Sequence, residues 1–122
     1  MSYTEFKEAY IEALLWSELD IDEDGEDIDN FEGCEHELDN DALAAIDSCC
    51  GDFWQWIVYR KVPEDRHAQA GHDFCLTRNR HGAGFWDGNW DEPLASALTK
   101  AAKSYGPMHL YRIDENTITV GG

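Results

Sequence analysis

Basic residues are scarce in this chain and nearly missing from its first 52 residues, where Lys7 stands against eighteen acidic side chains. Such a surface repels nucleic acid and anionic membranes, so charge-led binding to either is not expected. Long apolar runs are also missing: none approaches the roughly 18 residues that a bilayer span needs. The opening MSYTEFKEAY has neither the basic stretch nor the apolar core of a signal peptide. The four cysteines, Cys34, Cys49, Cys50 and Cys75, form no CxxC pair. Without an export signal they are expected to remain reduced, mostly buried thiols. No GxSxG elbow, P-loop or dinucleotide fingerprint occurs, and Gly82-Ala83-Gly84 is too short to cradle a phosphate.

What is present suffices for one core. The chain has 122 residues, 43% of them apolar, with five each of Trp, Tyr and Phe. That supply argues against a wholly disordered chain despite the charge. Residues 1–122 read as a single domain: an acidic helix and loop (1–41), a helical core (42–90), and a helix plus hairpin (91–122). Charge is segregated along it. Residues 1–52 carry a net −17, while residues 53–122 hold eight acidic and eight basic side chains and are neutral. Segregation makes a directional field that attracts basic surfaces. The plainer reading of the same charge is solubility and a solvated loop.

Hydrophobic spacing predicts helices over 3–19, 41–60, about 63–80 and 91–105. In the first, Tyr3, Phe6, Tyr10, Ala13 and Leu14 form the buried stripe, Glu5, Glu8 and Glu12 line the opposite side, and Thr4 is the expected N-cap. Trp16 falls off the stripe. Residues 20–41 read as a long acidic connection that like charges keep extended, with Ile21, Ile28, Phe31 and Leu38 able to pack. In the second helix Ala42, Ile46, Cys49, Phe53, Trp56 and Ile57 share a face. Asn40 or Asp41 is the expected cap, and Gly51 is a point of possible breakage. The third starts at Pro63, turns His67, Ala70, Gly71 and Phe74 inward, and stops at Gly82 after Arg78, Asn79, Arg80 and His81. Ala83–Asp87 reads as a short strand. The last helix, with Leu94, Ala97, Leu98, Ala101 and Tyr105 inward, ends at Gly106-Pro107. Met108–Ile113 and Thr117–Val120 read as a hairpin. The sum is α+β: three to four helices packed on a small, mostly antiparallel three-stranded sheet.

Four constellations could carry chemistry. Asp20-Ile-Asp22-Glu-Asp24-Gly25 opens like a calcium loop, but position 12 is Phe31 where a bidentate Glu is required, and Glu32 comes one residue late. A calcium module at 20–32 is therefore an alternative, not the leading reading. His67, His72 and His81 with Asp73 and Cys75 offer zinc-ligand types without a zinc spacing. Cys75 or Thr77 with His72 or His81 and Asp73 could form a nucleophile–base pair. This makes a small enzyme or ligand-binding domain centred on His72, Asp73, Arg78 and His81 the second functional class. The stretch Gly71–Asp87 also fits a helix-to-strand corner, with Phe85 and Trp86 supplying core mass and Arg78 pairing with Asp73 or Asp87. No cofactor, metal site or catalytic residue is expected.

The run Gly71–Asp87, GHDFCLTRNRHGAGFWD, resembles the GHDFxLTRNxHGAGFWD motif of a family of small proteins of tailed bacteriophages. Ala9–Ser17 and Ala101–Gly106 are similar to that family's opening and closing helices. The likeness is weakest over 20–52. His72, Asp73, Arg78, Asn79, His81 and Trp86 fall on the motif. Cys75 stands where Trp is common, and Arg80 where Gly is common. The resemblance carries no activity to transfer. It implies a phage accessory protein acting in the host bacterial cytoplasm. By analogy with other small acidic phage proteins, some of them DNA mimics, the role would be anti-defence or host takeover by inhibition. The expected partner is a basic, DNA- or RNA-handling host protein, met through Glu5, Glu8, Glu12, Asp20, Asp22, Asp24, Asp27 and Asp29. Neither direct nucleic-acid binding nor a membrane is expected.

Overall fold

The computed structural model describes residues 2–21, 27–80, 84–86 and 90–121. Four helices form: α1 (Ser2–Ser17), α2 (Asn40–Tyr59), α3 (His67–Arg78) and α4 (Leu94–Lys103). Two antiparallel hairpins accompany them: β1 (Leu19–Ile21) with β2 (Asp27–Asn30), and β3 (His109–Asp114) with β4 (Thr117–Gly121). The class is α+β with four helices. The expected three-stranded sheet is corrected to two separate two-stranded ladders. A parallel bridge between Leu38 and Ile118 stitches β4 to the residues before α2, with the Asp39 N–H donating to the Ile118 carbonyl at 2.9 Å.

The core is an aromatic stack where α1, α2 and α3 meet. Phe53 and Phe74 lie parallel with ring centroids 4.0 Å apart, and Phe6, Tyr10, Phe85 and Tyr105 close around them. α1 buries Phe6, Tyr10, Ala13, Leu14 and Leu15; Leu15 joins the expected stripe, while Tyr3 is only half-buried. Helix α1 starts at Ser2, so Thr4 lies inside it and is not its N-cap. Asp39, one residue before the expected candidates, caps α2: its carboxylate accepts the Ala42 N–H at 2.7 Å. The same helix runs unbroken through Gly51. Cys50 takes the buried place expected of Cys49, and Trp56 faces outward.

Helix α2 stops at Tyr59, within a residue of its expected end, whereas α3 stops at Arg78, ahead of the expected Gly82. Both α2 and α3 end on left-handed residues that are not glycine, Lys61 (φ 56°) and Arg80 (φ 54°). At α2 the Val62 N–H reaches the Ile57 carbonyl and the Lys61 N–H the Val58 carbonyl, the paired bonds of a Schellman ending. Helix α3 begins at His67, after a 3₁₀ turn over Glu64–Arg66, rather than at Pro63. Gly84, Phe85 and Trp86 form a bend and turn instead of a strand; Ala83 and Asp87 lie outside the described residues.

The acidic connection is also corrected. It doubles back through the β1–β2 ladder, and a 3₁₀ turn follows over Glu35–Glu37. Phe31 and Leu38 are buried within it. No helix among the described residues is long and apolar enough to cross a membrane.

Candidate functional site

Helix geometry puts residues 8, 11, 12 and 15 of α1 on one strip, with Glu8 and Glu12 exposed, Ile11 half-buried and Leu15 buried at its edge. Across from this strip, the Phe31 N–H donates to the Leu15 carbonyl at 2.8 Å and the Phe31 ring is buried. That anchor, followed by a turn through Gly33 (φ 86°), brings Glu32 and Glu35 alongside α1. The result is an open groove of about 540 Å³ lined by Glu8, Ile11, Glu12, Leu15, Glu32, Gly33 and Glu35. Its floor is apolar, and four carboxylates stand around it. None of the four has a cationic partner among the described residues.

Other carboxylates of the leading stretch are engaged. Lys7 lies 3.1 Å from Asp47, whose carboxylate also accepts from the Tyr3 hydroxyl; these two bonds hold its pKa below the usual value. Glu37 pairs with Arg112 at 2.9 Å. Glu18 holds His109 at 2.9 Å and the Leu110 N–H at 3.1 Å. Asp52 accepts from the Tyr105 hydroxyl. Among the described residues of the leading stretch, Glu8, Glu12, Glu32 and Glu35 are unpaired carboxylates gathered at the groove, while Glu5 and Asp41 are exposed outside it.

Of the expected contact set, Glu8 and Glu12 line this groove, while Glu5 is exposed on α1 outside it. Asp20, Asp27 and Asp29 have their backbone in the β1–β2 ladder, and their side chains lie outside the described residues. Asp22 and Asp24 lie wholly outside, and most of the calcium-like loop goes with them. Glu32 and Glu35 were missed by the sequence reading. The signal for them was Phe31, a large apolar side chain inside an acidic run, which had to be drawn to the core and bring its neighbours with it.

The Gly71–Asp87 motif builds a corner. A Cβ on Gly71 would lie 1.9 Å from the Phe6 carbonyl oxygen, so only glycine lets α3 approach α1 this closely. Gly84 (φ 149°) sits equally tight, 2.1 Å from the Thr77 Oγ1 to its would-be Cβ. The Thr77 hydroxyl accepts the Phe85 N–H at 3.1 Å. The Asn79 amide oxygen takes the Met108 N–H at 2.7 Å, joining α3 to the start of the second hairpin. Trp86 is exposed, with the Lys103 ammonium 5.5 Å from its ring.

Arg78 does not pair with Asp73. It donates to the Gly106 carbonyl, the Tyr10 hydroxyl and the Tyr105 carbonyl. Asp73 accepts from the Trp90 indole at 2.7 Å and the Gln69 amide at 3.0 Å, and lies 3.5 Å from His72. His72 is half-exposed, its ring 5.8 Å from that of Trp16. His67 bonds the Val62 carbonyl instead of joining His72, and His81 lies outside the described residues. Among the described residues no three His, Cys, Asp or Glu side chains converge on a metal position. Of the expected His72, Asp73, Arg78 and His81 centre, the described residues thus fall into two hydrogen-bond networks, His72 with Asp73 in one and Arg78 in the other.

Burial raises the Asp73 pKa, but the bonds from His72, Gln69 and Trp90 outweigh it, and the carboxyl is held below its ordinary value. A depressed carboxylate contributes stability above its unfolded pKa of about 3.9 and loses it as pH falls through the folded value. Asp73→Asn is therefore expected to cost about 1.5–3 kcal/mol at pH 7, with the deficit shrinking below about pH 4. Urea midpoints of the two proteins between neutral and acid pH test this; a deficit unchanged down to pH 3 would contradict the assignment.

No protein-family model, curated protein or solved structure matches this chain. The functional reading therefore rests on its own surface chemistry.

Proposed function

We propose that this protein is a binding protein whose acidic groove receives a basic, partly apolar segment of a partner protein. The supporting observation is the groove itself: Glu8, Glu12, Glu32 and Glu35 are uncompensated and surround the apolar Ile11 and Leu15. Lysine and arginine side chains suit it, because their stems lie on apolar surface while their charged heads meet carboxylates. Arginine-rich proteins that handle nucleic acid are the partner class this chemistry favours. The phage motif resemblance would place such a partner in a bacterial host, where occupying its basic surface would inhibit it. The net charge of −17 steers such a surface toward the protein before contact.

The test is titration of a fluorescent peptide carrying lysine, arginine and leucine. Glu8→Lys/Glu12→Lys is expected to weaken binding by about tenfold or more, as removal of close charge pairs does. Asp91→Lys/Glu115→Lys alters net charge equally but lies outside the groove, and should cost less than about threefold. Affinity should fall steeply between low salt and about 1 M, where the Debye length is only about 3 Å. Equal weakening by both double variants would mean that net charge alone attracts the peptide and would refute the groove.

A further inference from the structure

The C-terminal end of α2 carries a surface of opposite character. Tyr59 is 76% exposed and Val58 56%, while Trp56 is 38% exposed. The Arg60 guanidinium lies 5.7 Å from the Trp56 ring and 5.8 Å from the Tyr59 ring. Exposed Trp, Tyr and Arg in one cluster is the composition of binding hot spots, and the cation–π contacts hold the arginine ready. Lys61 follows, and it occupies the left-handed position of a Schellman ending that glycine fills without strain. The chain thus keeps a second cation at the tip in place of the residue the backbone prefers. Neither Arg60 nor Lys61 has a carboxylate partner among the described residues.

This tip and the acidic groove are chemical complements on the same molecule: two cations with aromatic and aliphatic surface, against four carboxylates over Ile11 and Leu15. We propose that the Trp56–Lys61 tip of one copy docks in the acidic groove of a second copy. The proposal rests on the groove accepting basic segments, as above. The contact is heterologous, tip to groove, so it leaves a free tip and a free groove at the ends of any open assembly. It also competes with the partner: a groove filled by a neighbour's tip is closed to another basic segment, and partner binding would disperse the assembly. The two negatively charged copies repel at long range. At about 0.15 M salt, where the Debye length is about 8 Å, that repulsion is screened more than the contact pairs.

Sedimentation equilibrium at about 0.15 M salt and a few hundred micromolar protein tests the proposal. The wild-type average mass is expected to exceed the 13.9 kDa of one chain by about 1.5-fold or more. Arg60→Glu/Lys61→Glu and Glu8→Lys/Glu12→Lys should each return it to one chain. An equimolar mixture of the two should associate again, because the unaltered tip of the second fits the unaltered groove of the first. Tyr59→Ala keeps both cations and should weaken association several-fold. A wild type that stays at one chain's mass, or association unchanged in Arg60→Glu/Lys61→Glu, would overturn it. The basic peptide separates the two readings. If it binds wild type and Arg60→Glu/Lys61→Glu alike while wild type stays at one chain's mass, the groove stands and docking by the tip is refuted. If it binds neither that variant nor wild type, the groove reading fails and takes the docking proposal with it.

Discussion

Gly71→Ala is expected to destabilise the protein by about 3 kcal/mol or more, a large part of the 5–15 kcal/mol that holds a domain of this size. On helix propensity alone the substitution should stabilise by about 1 kcal/mol. Its sign is reversed by contact. The added methyl would lie 1.9 Å from the Phe6 carbonyl oxygen, 2.8 Å from the carbonyl carbon and 3.2 Å from the Cα, all backbone atoms of α1 that cannot rotate away. Helices α1 and α3 would have to separate, opening the stack of Phe6 and Tyr10 against Phe74. Gly51→Ala supplies the contrast within the same molecule. Its methyl would meet only the Tyr3 hydroxyl, at 3.7 Å, an ordinary contact, so a gain of about 0.5–1 kcal/mol is expected. Urea unfolding of both variants measures the pair. A Gly71→Ala protein as stable as wild type would mean that the α1–α3 approach is looser than described.

Helix periodicity was legible where a helix buries a stripe, as α1, α2 and α4 do, and those stripes err mainly by a residue; α3 is buried all round over Asp73–Arg78. In α4 the buried set is Ala95, Leu98, Ala101 and Ala102 rather than one containing Leu94 and Ala97. Spacing gives the period of a face, whereas its phase is set by what lies opposite. Helix stops were harder. Glycine is the usual signal for a left-handed end, and α2 and α3 use Lys61 and Arg80, where tertiary packing overrides local preference. The sheet was misread because the β1–β2 pairing lies in a run whose composition argues for repulsion, and backbone pairing there does not need apolar alternation.

The candidate site was half legible. Glu8 and Glu12 follow from helical spacing, but the facing wall depends on Phe31 being drawn under Leu15, a contact between residues sixteen positions apart. Among the described residues of the leading stretch, the carboxylates divide their labour. Asp39, Asp47 and Asp52 cap or bond the helices, and Glu18 and Glu37 fasten the second hairpin. Charge counted along a sequence does not distinguish carboxylates that hold the fold from those that face a partner.

Arg78→Met is expected to cost about 2–4 kcal/mol, although it removes a buried charge and replaces it with an apolar chain of similar length. Desolvation of the guanidinium is the opposing term, and burying a charge is costly unless its donors are satisfied. Here they are. Arg78 Nε donates to the Gly106 carbonyl at 2.8 Å, Nη1 to the Tyr10 hydroxyl at 3.2 Å, and Nη2 to the Tyr105 carbonyl at 3.4 Å. The ring faces of Phe74 and Tyr105 lie 5.5 and 5.6 Å away and add cation–π attraction. Methionine would fill the space and leave two backbone carbonyls without their donor at the turn where α4 gives way to β3. Arg78→Lys tests the geometry separately from the charge, because a point-like ammonium cannot reach three acceptors in a planar fork. It should recover less than half of the loss. Urea midpoints of both variants decide between these terms. An Arg78→Met protein within about 0.5 kcal/mol of wild type would show that desolvation cancels the network, and that the arginine is kept for something other than the fold.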